Sequence, residues 1–276
     1  MPRRFFTLAI VSIAAFIAVF TFQAERKANA FEATDDGAID FPTSATWEGD
    51  KVTGTGELNL PDGANGKVPV VILNHGTRGI GYRENKWSDF LLEKGYATFV
   101  LDYFSPRGVS GRGRNIPRPG EDVWGALSVL SAHPGLDMNK VAVMGFSNGG
   151  SVTRNAAGFD PETDTKGVLP KAFIMVYGGC HSEVYLNASD YNPALLYIAG
   201  GEDKLVKAST CLRRKSDSVS TDIDVMVIEG AYHMFDSNST RTINHPKWGT
   251  VEMRADSDAT DKARARVVKL LTRVFQ

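Results

Sequence analysis

The sequence predicts an α/β fold with a doubly wound, mostly parallel sheet that helices cover on both faces. Several short runs are apolar on successive residues, and such runs are typical of strands buried on both faces. Amphipathic helical segments separate these runs, and strands that alternate with helices form βαβ units. The predicted buried strands are Lys67–Asn74, Ala97–Leu101, Val141–Met144, Ala172–Tyr177 and Ala194–Ala199.

The remaining elements continue the alternation. Asp224–Ile228 combines aspartate with valine, so we predict a strand nearer the sheet edge. No linker rich in proline, glycine or serine divides residues 31–276, which predicts a single domain. The predicted helices are Glu84–Lys94, Glu121–His133, Asn148–Gly158, Lys204–Ser218 and Ala259–Phe275.

Three segments lie outside this alternation. Residues 31–45 are polar and predict an irregular lead-in, whereas Thr46–Leu60 alternates polar and apolar residues around Gly49-Asp50 and predicts an antiparallel hairpin. Phe104–Gly120 and Asp236–Asp258 predict long loops. Loops of this length in a compact domain tend to be functional.

The N-terminus has the three parts of a secretory signal peptide. Arg3 and Arg4 precede an apolar stretch from Phe5 to Phe22, and Ala28-Asn29-Ala30 forms an Ala-x-Ala site. We expect residues 1–30 to be removed and the mature chain to be secreted or periplasmic, with no membrane association. The alternative is an uncleaved anchor, since about 18 apolar residues nearly span a bilayer.

Composition excludes several classes of partner and cofactor. The formal charge is −1 without a long basic run, which argues against a nucleic-acid partner. Neither H-E-x-x-H nor C-x-x-C occurs, so the sequence implies no metal and no other cofactor. The two cysteines, Cys180 and Cys211, predict a disulfide in an exported protein, with two buried free thiols as the alternative.

Ser147 is the candidate nucleophile. Gly145-Phe146-Ser147-Asn148-Gly149 matches Gly-x-Ser-x-Gly, follows a buried strand and precedes a helical segment. That context is the nucleophile elbow of the α/β-hydrolase fold. The turn exposes the serine at the carboxyl edge of the sheet, and the N–H of Asn148 opens a helix that favours negative charge. We therefore expect this N–H to stabilise an oxyanion.

His233 is the candidate base among five histidines. The fold uses the chain order serine, acid, histidine, with the histidine after the last strand, and His233 alone meets both conditions. Asp203 follows the strand Ala194–Ala199 and is the candidate acid that orients the imidazole. The adjacent Glu202 is the alternative.

The second oxyanion donor is expected in the loop after the first buried strand, which reads Asn74-His75-Gly76-Thr77. The backbone N–H of Thr77 is the candidate. A neighbouring residue of this loop is the alternative.

With these residues placed, the chain resembles the dienelactone hydrolase family from about Val68 to the C-terminus. The segments that carry the resemblance are Asp102–Gly108, Val141–Gly150, Tyr177–Cys180, Gly201–Cys211 and Gly230–Asp236. The resemblance implies a Ser147/Asp203/His233 triad and an oxyanion hole formed by Thr77 and Asn148. It also implies a small-molecule ester as substrate.

One departure from the family concerns the nucleophile. Founding members use cysteine, which a glutamate in the oxyanion loop regulates, whereas this chain has Ser147, and Gly76 stands where that glutamate is expected. A serine esterase acting on another carboxylic ester through an acyl-enzyme therefore fits better than a hydrolase of dienelactone itself. The alternatives are a serine peptidase or amidase on the same fold, and a non-catalytic binding protein that retains the fold.

The segment Phe104–Gly120 is rich in arginine. Arg107 and Arg112 are candidates for binding an anionic part of the substrate, because guanidinium groups suit carboxylates. The alternative is a solvated loop.

Overall fold

A computed structural model describes residues 31–111, 115–158, 167–184, 191–217 and 222–276. Its central sheet has eight strands in the order β1-β2-β4-β3-β5-β6-β7-β8. Strands β3 to β8 pair in parallel, whereas β1 and β2 are antiparallel additions at one edge. These strands are β1 Gly37–Trp47, β2 Asp50–Asn59, β3 Val68–Asn74, β4 Ala97–Asp102, β5 Leu136–Phe146, β6 Ala172–Val176, β7 Ala194–Gly200 and β8 Ile223–Ile228.

Five helices of the described chain cover the sheet. They are α1 Tyr82–Glu93, α2 Gly120–Leu130, α3 Asn148–Ala157, α4 Ala208–Asp217 and α5 Ser257–Val274. One apolar cluster packs α1 and α5 against one face of the sheet, and a second packs α2, α3 and α4 against the other. The predicted α/β-hydrolase fold, doubly wound and mostly parallel with helices on both faces, is confirmed.

The strand β3 shows why the sequence pattern was informative. Val70 and Ile72 contribute to one apolar cluster, and Val71 and Leu73 contribute to the other. All four side chains are fully buried. A strand with a core on each face needs apolar residues at successive positions, which is the pattern from which the parallel sheet was predicted.

The N-terminal hairpin is longer than predicted. Strand β1 begins at Gly37, inside the segment expected to be an irregular lead-in. Cross-strand pairing with β2 holds β1, and Phe41 and Ala45 are its buried residues. Because only these two residues of an edge strand are fully buried, the apolar signal of residues 31–45 was too weak to predict a strand.

The segment Asp236–Asp258 also departs from the prediction of a long loop. It contains an antiparallel hairpin, β9 Arg241–His245 and β10 Gly249–Met253, in which Ile243 pairs with Val251. The hairpin forms a separate two-stranded sheet. Most residues of the two strands are polar, so the sequence of this segment resembles that of a solvated loop.

Among the described residues, no helix combines the length and apolar character that crossing a membrane requires. The predicted signal peptide, residues 1–30, lies outside the described residues.

Candidate active site

Ser147 occupies the sharp turn between β5 and α3. Its φ of 54° is unusual for a residue other than glycine, and such backbone strain is typical of functional turns. The flanking glycines are required by close backbone approach, since a Cβ at Gly145 would lie 2.1 Å from the Gly149 carbonyl oxygen. A Cβ at Gly149 would lie 2.0 Å from the Asn74 carbonyl oxygen. The turn therefore has the strained, closely packed backbone that a nucleophile elbow requires.

A continuous chain of hydrogen bonds joins Ser147, His233 and Asp203. The Ser147 hydroxyl lies 2.9 Å from Nε2 of His233, and Nδ1 of the same imidazole lies 2.7 Å from Oδ2 of Asp203. Since a carboxylate only accepts hydrogen bonds, the imidazole carries its proton on Nδ1. Nε2 is then free to accept the serine proton.

The local backbone fixes the Asp203 carboxylate. Its second oxygen, Oδ1, accepts hydrogen bonds from the N–H groups of Leu205 and Val206 at 2.8 and 2.9 Å. The helix α4 begins after these bonds, at Ala208, four residues after the predicted start. Asp203, rather than the alternative Glu202, is the carboxylate that contacts His233.

The two residues predicted to form the oxyanion hole line the same cavity as Ser147. Thr77 and Asn148 line that cavity together with Ser147 and His233. Tyr103 connects the two segments that carry the donors, because its hydroxyl donates to the His75 carbonyl at 2.6 Å and accepts from Asn148 Nδ2 at 3.0 Å. Sequence reasoning assigned Tyr103 no role.

His75 is a structural residue of the same loop. Its ring stacks on that of Tyr103 with centroids 3.9 Å apart, and its Nδ1 lies 2.7 Å from the Gly76 carbonyl oxygen. Burial lowers the pKa of His75, so the imidazole is neutral at physiological pH. This neutral, stacked ring supports the loop that carries Thr77.

Gly76, which departs from the family pattern, is explained by a neighbouring ion pair. A Cβ at this position would lie 2.6 Å from a guanidinium nitrogen of Arg83, so glycine leaves room for the arginine. Arg83 pairs with the buried carboxylate of Glu84, which also accepts the Gly76 N–H at 3.3 Å. Glu84 of α1 thus contacts the loop Asn74–Thr77, although it is not part of that loop.

A buried carboxylate also lies behind His233. Asp236 accepts hydrogen bonds from Trp87 Nε1 at 2.8 Å and from the Tyr177 hydroxyl at 2.5 Å. The Tyr177 ring lies 4.9 Å from the His233 ring. Burial raises the pKa of Asp236, while the Arg83 charge and both hydrogen bonds oppose that shift. Asp236 was predicted only as the start of a loop.

The cavity beside Ser147 has a volume of about 590 Å³. The hairpin β9–β10 forms part of its wall through Arg241, Ile243, His245, Trp248 and Met253. The sequence pointed to this segment only as a long insertion. Half-buried and exposed residues alternate along Arg241–His245, and this period of two is the signal typical of a strand.

The prediction that Arg107 binds substrate is corrected. Arg107 is buried and forms two hydrogen bonds to Asp122, of 2.7 and 3.0 Å, and one to the Tyr103 carbonyl. Its side chain is 1 % exposed, so its guanidinium cannot reach a substrate. A buried arginine needs a carboxylate, and α2 supplies one that sequence spacing alone did not indicate. Arg112 lies outside the described residues.

The predicted disulfide between Cys180 and Cys211 is confirmed, with an S–S distance of 2.00 Å. It connects the loop after β6 to α4. Gly178 and Gly179 in that loop line the cavity, as do Leu205 and Val206 just before α4. The bridge therefore links two parts of the cavity wall.

Within the described ranges, no cluster of three or more histidine, cysteine, aspartate or glutamate residues has the arrangement of a metal site. The groups that meet at the site are the Ser147 hydroxyl, the His233 imidazole and the Asp203 carboxylate.

Several solved structures share this fold. A putative dienelactone hydrolase from Klebsiella pneumoniae is 17 % identical, with a TM-score of 0.61 over 87 % of this chain and 99 % of its own. A dienelactone hydrolase-like promiscuous phosphotriesterase from metagenomic libraries is 19 % identical, with a TM-score of 0.61 over 87 % and 98 %. An esterase from Pyrococcus furiosus is 17 % identical, with a TM-score of 0.61 over 88 % and 94 %. At these identities the likeness shows the fold alone.

No curated protein sequence matches the chain. The sequence profile of the dienelactone hydrolase family, in contrast, matches residues 55–275, which is most of the chain. The chain therefore belongs to the dienelactone hydrolase family, and it is a hydrolase that acts on esters.

Proposed function

We propose that the protein is an exported serine hydrolase that cleaves a carboxylic ester through Ser147, His233 and Asp203. The observation that carries this proposal is the unbroken hydrogen-bond chain from the serine hydroxyl through the imidazole to the carboxylate. Nucleophile, base and orienting group within hydrogen-bond reach are what covalent catalysis by serine requires.

In the first half of the reaction, Ser147 Oγ attacks the ester carbonyl while His233 Nε2 takes the hydroxyl proton. The negative charge that develops on the carbonyl oxygen is stabilised by the backbone N–H groups of Thr77 and Asn148. His233 then returns the proton to the departing alkoxide. The ester C–O bond breaks, the alcohol leaves and an acyl-enzyme remains.

The second half repeats the same steps with water. His233 removes a proton from water, and the resulting nucleophile attacks the acyl carbonyl. When the tetrahedral intermediate collapses, the bond to Ser147 Oγ breaks and Nε2 returns the proton to the serine. The acid is released and the enzyme is regenerated, with Asp203 stabilising the imidazolium in both halves.

Amide or peptide hydrolysis is the second candidate, because the same groups also attack amides. We favour esters, because the family to which the chain belongs acts on esters. Peptidases of this fold commonly add a large selectivity domain, whereas here a short hairpin stands at the pocket. The non-catalytic alternative is disfavoured because all three groups are in contact.

The test is the intact mass of the protein after incubation with a fluorophosphonate. One adduct is expected on the parent and none on Ser147→Ala. Ser151→Ala is the matched control, since Ser151 lines the same cavity, and this variant should still be labelled. Labelling that persists in Ser147→Ala, or its absence in a folded parent, would refute the proposal.

Export is tested separately on the protein purified from all fractions of its host, membranes included. Sequencing of its N-terminus should begin at Phe31, as the proposed cleavage after Ala30 requires. Retention of residues 1–30 would support the uncleaved anchor instead.

A further inference from the structure

Behind the imidazole of His233 lies a buried cluster that the proposed mechanism does not use. The Asp236 cluster comprises Asp236, Tyr177 and Trp87, and all three side chains are buried. Each carboxylate oxygen of Asp236 accepts one hydrogen bond, Oδ1 from the Tyr177 hydroxyl at 2.5 Å and Oδ2 from Trp87 Nε1 at 2.8 Å. The cluster is therefore a satisfied polar site inside the apolar core that α1 and α5 form with one face of the sheet.

Stability alone does not call for a carboxylate at this place. Burial raises the pKa of Asp236, because removing the carboxylate from water disfavours its charged form. Replacing buried ionic groups with well-packed apolar residues is often neutral or stabilising. Hydrogen bonds, unlike apolar contacts, have a preferred distance and direction. A buried carboxylate with two directional bonds thus indicates a neighbouring group whose position has to be held accurately.

The group that Asp236 holds is the base. Asp236 follows His233 by three residues in the irregular segment between β8 and β9, and its side chain connects this segment to the end of β6 through Tyr177. The same bond fixes the Tyr177 ring, whose centroid lies 4.9 Å from that of the imidazole. Met234, which follows His233, has a φ of 62°, and such a strained backbone persists only where its surroundings hold it. Asp236 therefore constrains His233 both through the chain and through the neighbouring ring.

Tyr177 also lies beside the nucleophile. The carbonyl of the preceding residue, Val176, accepts the Ser147 N–H at 3.0 Å. The φ of Tyr177 is 39°, another left-handed value at a residue other than glycine. Its ring centroid lies 6.4 Å from that of Phe146, which directly precedes Ser147. The same tyrosine thus neighbours the segments that carry the nucleophile and the base, and its placement affects the distance between Ser147 and His233.

The second bond of Asp236 reaches the helix that contacts the proposed oxyanion loop. Trp87, the donor of this bond, belongs to α1. Glu84 belongs to the same helix, and its carboxylate accepts the Gly76 N–H at 3.3 Å. Since Gly76 is part of the loop Asn74–Thr77, one helix is bonded both to that loop and to the segment of the base. The Asp236 cluster therefore connects the two sides between which an ester carbonyl would react.

We propose that Asp236 is a positioning residue, which keeps His233 at proton-transfer distance from Ser147 by fixing the Tyr177 ring and the helix α1. This inference rests on the proposed function and adds to it a residue that touches no reacting atom. Accurate placement matters for the rate, because a misplacement of about 1 Å at the reacting groups can cost about a hundredfold.

Three variants remove the two hydrogen bonds in steps. Asp236→Ala removes both, and Tyr177→Phe removes one but keeps the ring. Asp236→Asn can keep both, because its amide oxygen accepts from Trp87 and its amide nitrogen donates to the Tyr177 hydroxyl. For 4-nitrophenyl acetate, kcat should fall about a hundredfold in Asp236→Ala and about tenfold in Tyr177→Phe, with KM changed by less than about twofold. Asp236→Asn should restore kcat to within about threefold of the parent.

Tyr191→Phe is the matched control, since it removes a tyrosine hydroxyl that donates to the Pro170 carbonyl at 2.7 Å, and Tyr191 is not among the described residues that line the cavity. Its kcat should equal that of the parent. Every variant is assayed where denaturation shows it to be folded. If Asp236→Ala does not fold, Tyr177→Phe decides, because it lacks only one oxygen atom. An equal kcat in Tyr177→Phe and Tyr191→Phe would overturn the inference.

A spectroscopic measurement separates this inference from the proposed function. The proton between His233 Nδ1 and Asp203 should give a downfield proton NMR resonance, whose position depends on the Nδ1–Oδ2 distance. This resonance should move in Asp236→Ala and Tyr177→Phe and stay in place in Tyr191→Phe, whether or not the protein turns over an ester. A moved resonance in a protein that a fluorophosphonate does not label would retain the positioning role and reject the mechanism, whereas labelling with an unmoved resonance would do the reverse.

Discussion

The two sides of the substrate cavity are built differently. One side, which we call the floor, comprises the Ser147 turn, the loop Asn74–Thr77 and the residues packed beneath them. The other side, the hairpin wall, is residues 241–253. In the floor, Arg107 pairs with Asp122 and Arg83 pairs with Glu84. On the hairpin wall, Arg241 has no carboxylate partner within the described residues.

This difference separates structural arginines from those available to a ligand. A guanidinium that is buried on folding needs a carboxylate in the same fold, because an unpaired buried charge is strongly destabilising. A half-exposed guanidinium can remain unpaired because water solvates part of it, and it keeps its donors for a substrate. Whether an arginine near the cavity is structural or available to a ligand thus depends on its carboxylate partner and not on its position in the chain.

The largest effect is expected from breaking an ion pair of the floor. Asp122→Ala leaves Arg107 buried without its partner, so the free energy of unfolding should fall by about 3–5 kcal/mol. Urea denaturation measures this. Asp89→Ala is the control, because Asp89 pairs with Lys86 at an exposed site and its loss should change little. A small effect of Asp122→Ala would mean that Arg107 finds water or another acceptor, and the contrast between the two sides would weaken.

The disulfide gives the next largest effect. Replacing both Cys180 and Cys211 with serine opens a loop with a sequence separation of 31 residues. In the chain-entropy model this costs roughly 3–4 kcal/mol of stability. Denaturation of the double variant, and of the parent with and without reductant, measures the loss. A reduced parent as stable as the oxidised protein would contradict the prediction.

Tyr103→Phe tests the hydroxyl that connects the two oxyanion segments. We expect kcat for ester hydrolysis to fall about tenfold with little change in KM, because donors that act on the transition state are positioned less well. Tyr191→Phe is the matched control. It removes another tyrosine hydroxyl bonded to a backbone carbonyl, that of Pro170 at 2.7 Å, away from the cavity.

Tyr103→Phe should lose more stability than Tyr191→Phe, since the Tyr103 hydroxyl makes two hydrogen bonds and the Tyr191 hydroxyl makes one, each worth about 1 kcal/mol. Both variants are therefore assayed where denaturation shows them fully folded, and an equal fall of kcat in both would mean that Tyr103 has no positioning role.

The smallest effect is expected for the stability of Arg241→Gln. Because no carboxylate of the described chain depends on Arg241, the free energy of unfolding should change by no more than about 0.5 kcal/mol. Compared under the same denaturation conditions, Asp122→Ala and Arg241→Gln sharpen the contrast between floor and hairpin wall. A loss comparable to that of Asp122→Ala would show that Arg241 is structural.

Much of the fold could be predicted because its signals are local. Strand β3 needs apolar residues on both faces, so its burial can be predicted from a run of consecutive apolar residues. The strand β1 and the hairpin β9–β10 were not predicted, because edge strands and hairpins bury few residues and owe their order to pairing with a partner strand.

The candidate site was predicted in part for the same reason. The elbow around Ser147 is a local motif, and chain order singled out His233 and Asp203 before any geometry was known. Tyr103 and Asp236 were not predicted, because their roles depend on contacts with residues 28 to 149 positions away. Periodicity and motifs carry no information about such contacts.

The sequence by itself determined the α/β class, the strained turn at Ser147 and the order of serine, acid and histidine, because backbone sterics and burial patterns act over a few residues. Only the tertiary structure decided which arginines are neutralised. Arg107 and Arg241 have the same side chain in polar segments of similar appearance. One folds against a buried carboxylate and the other faces the cavity, since the pairing of charges depends on which elements meet in space.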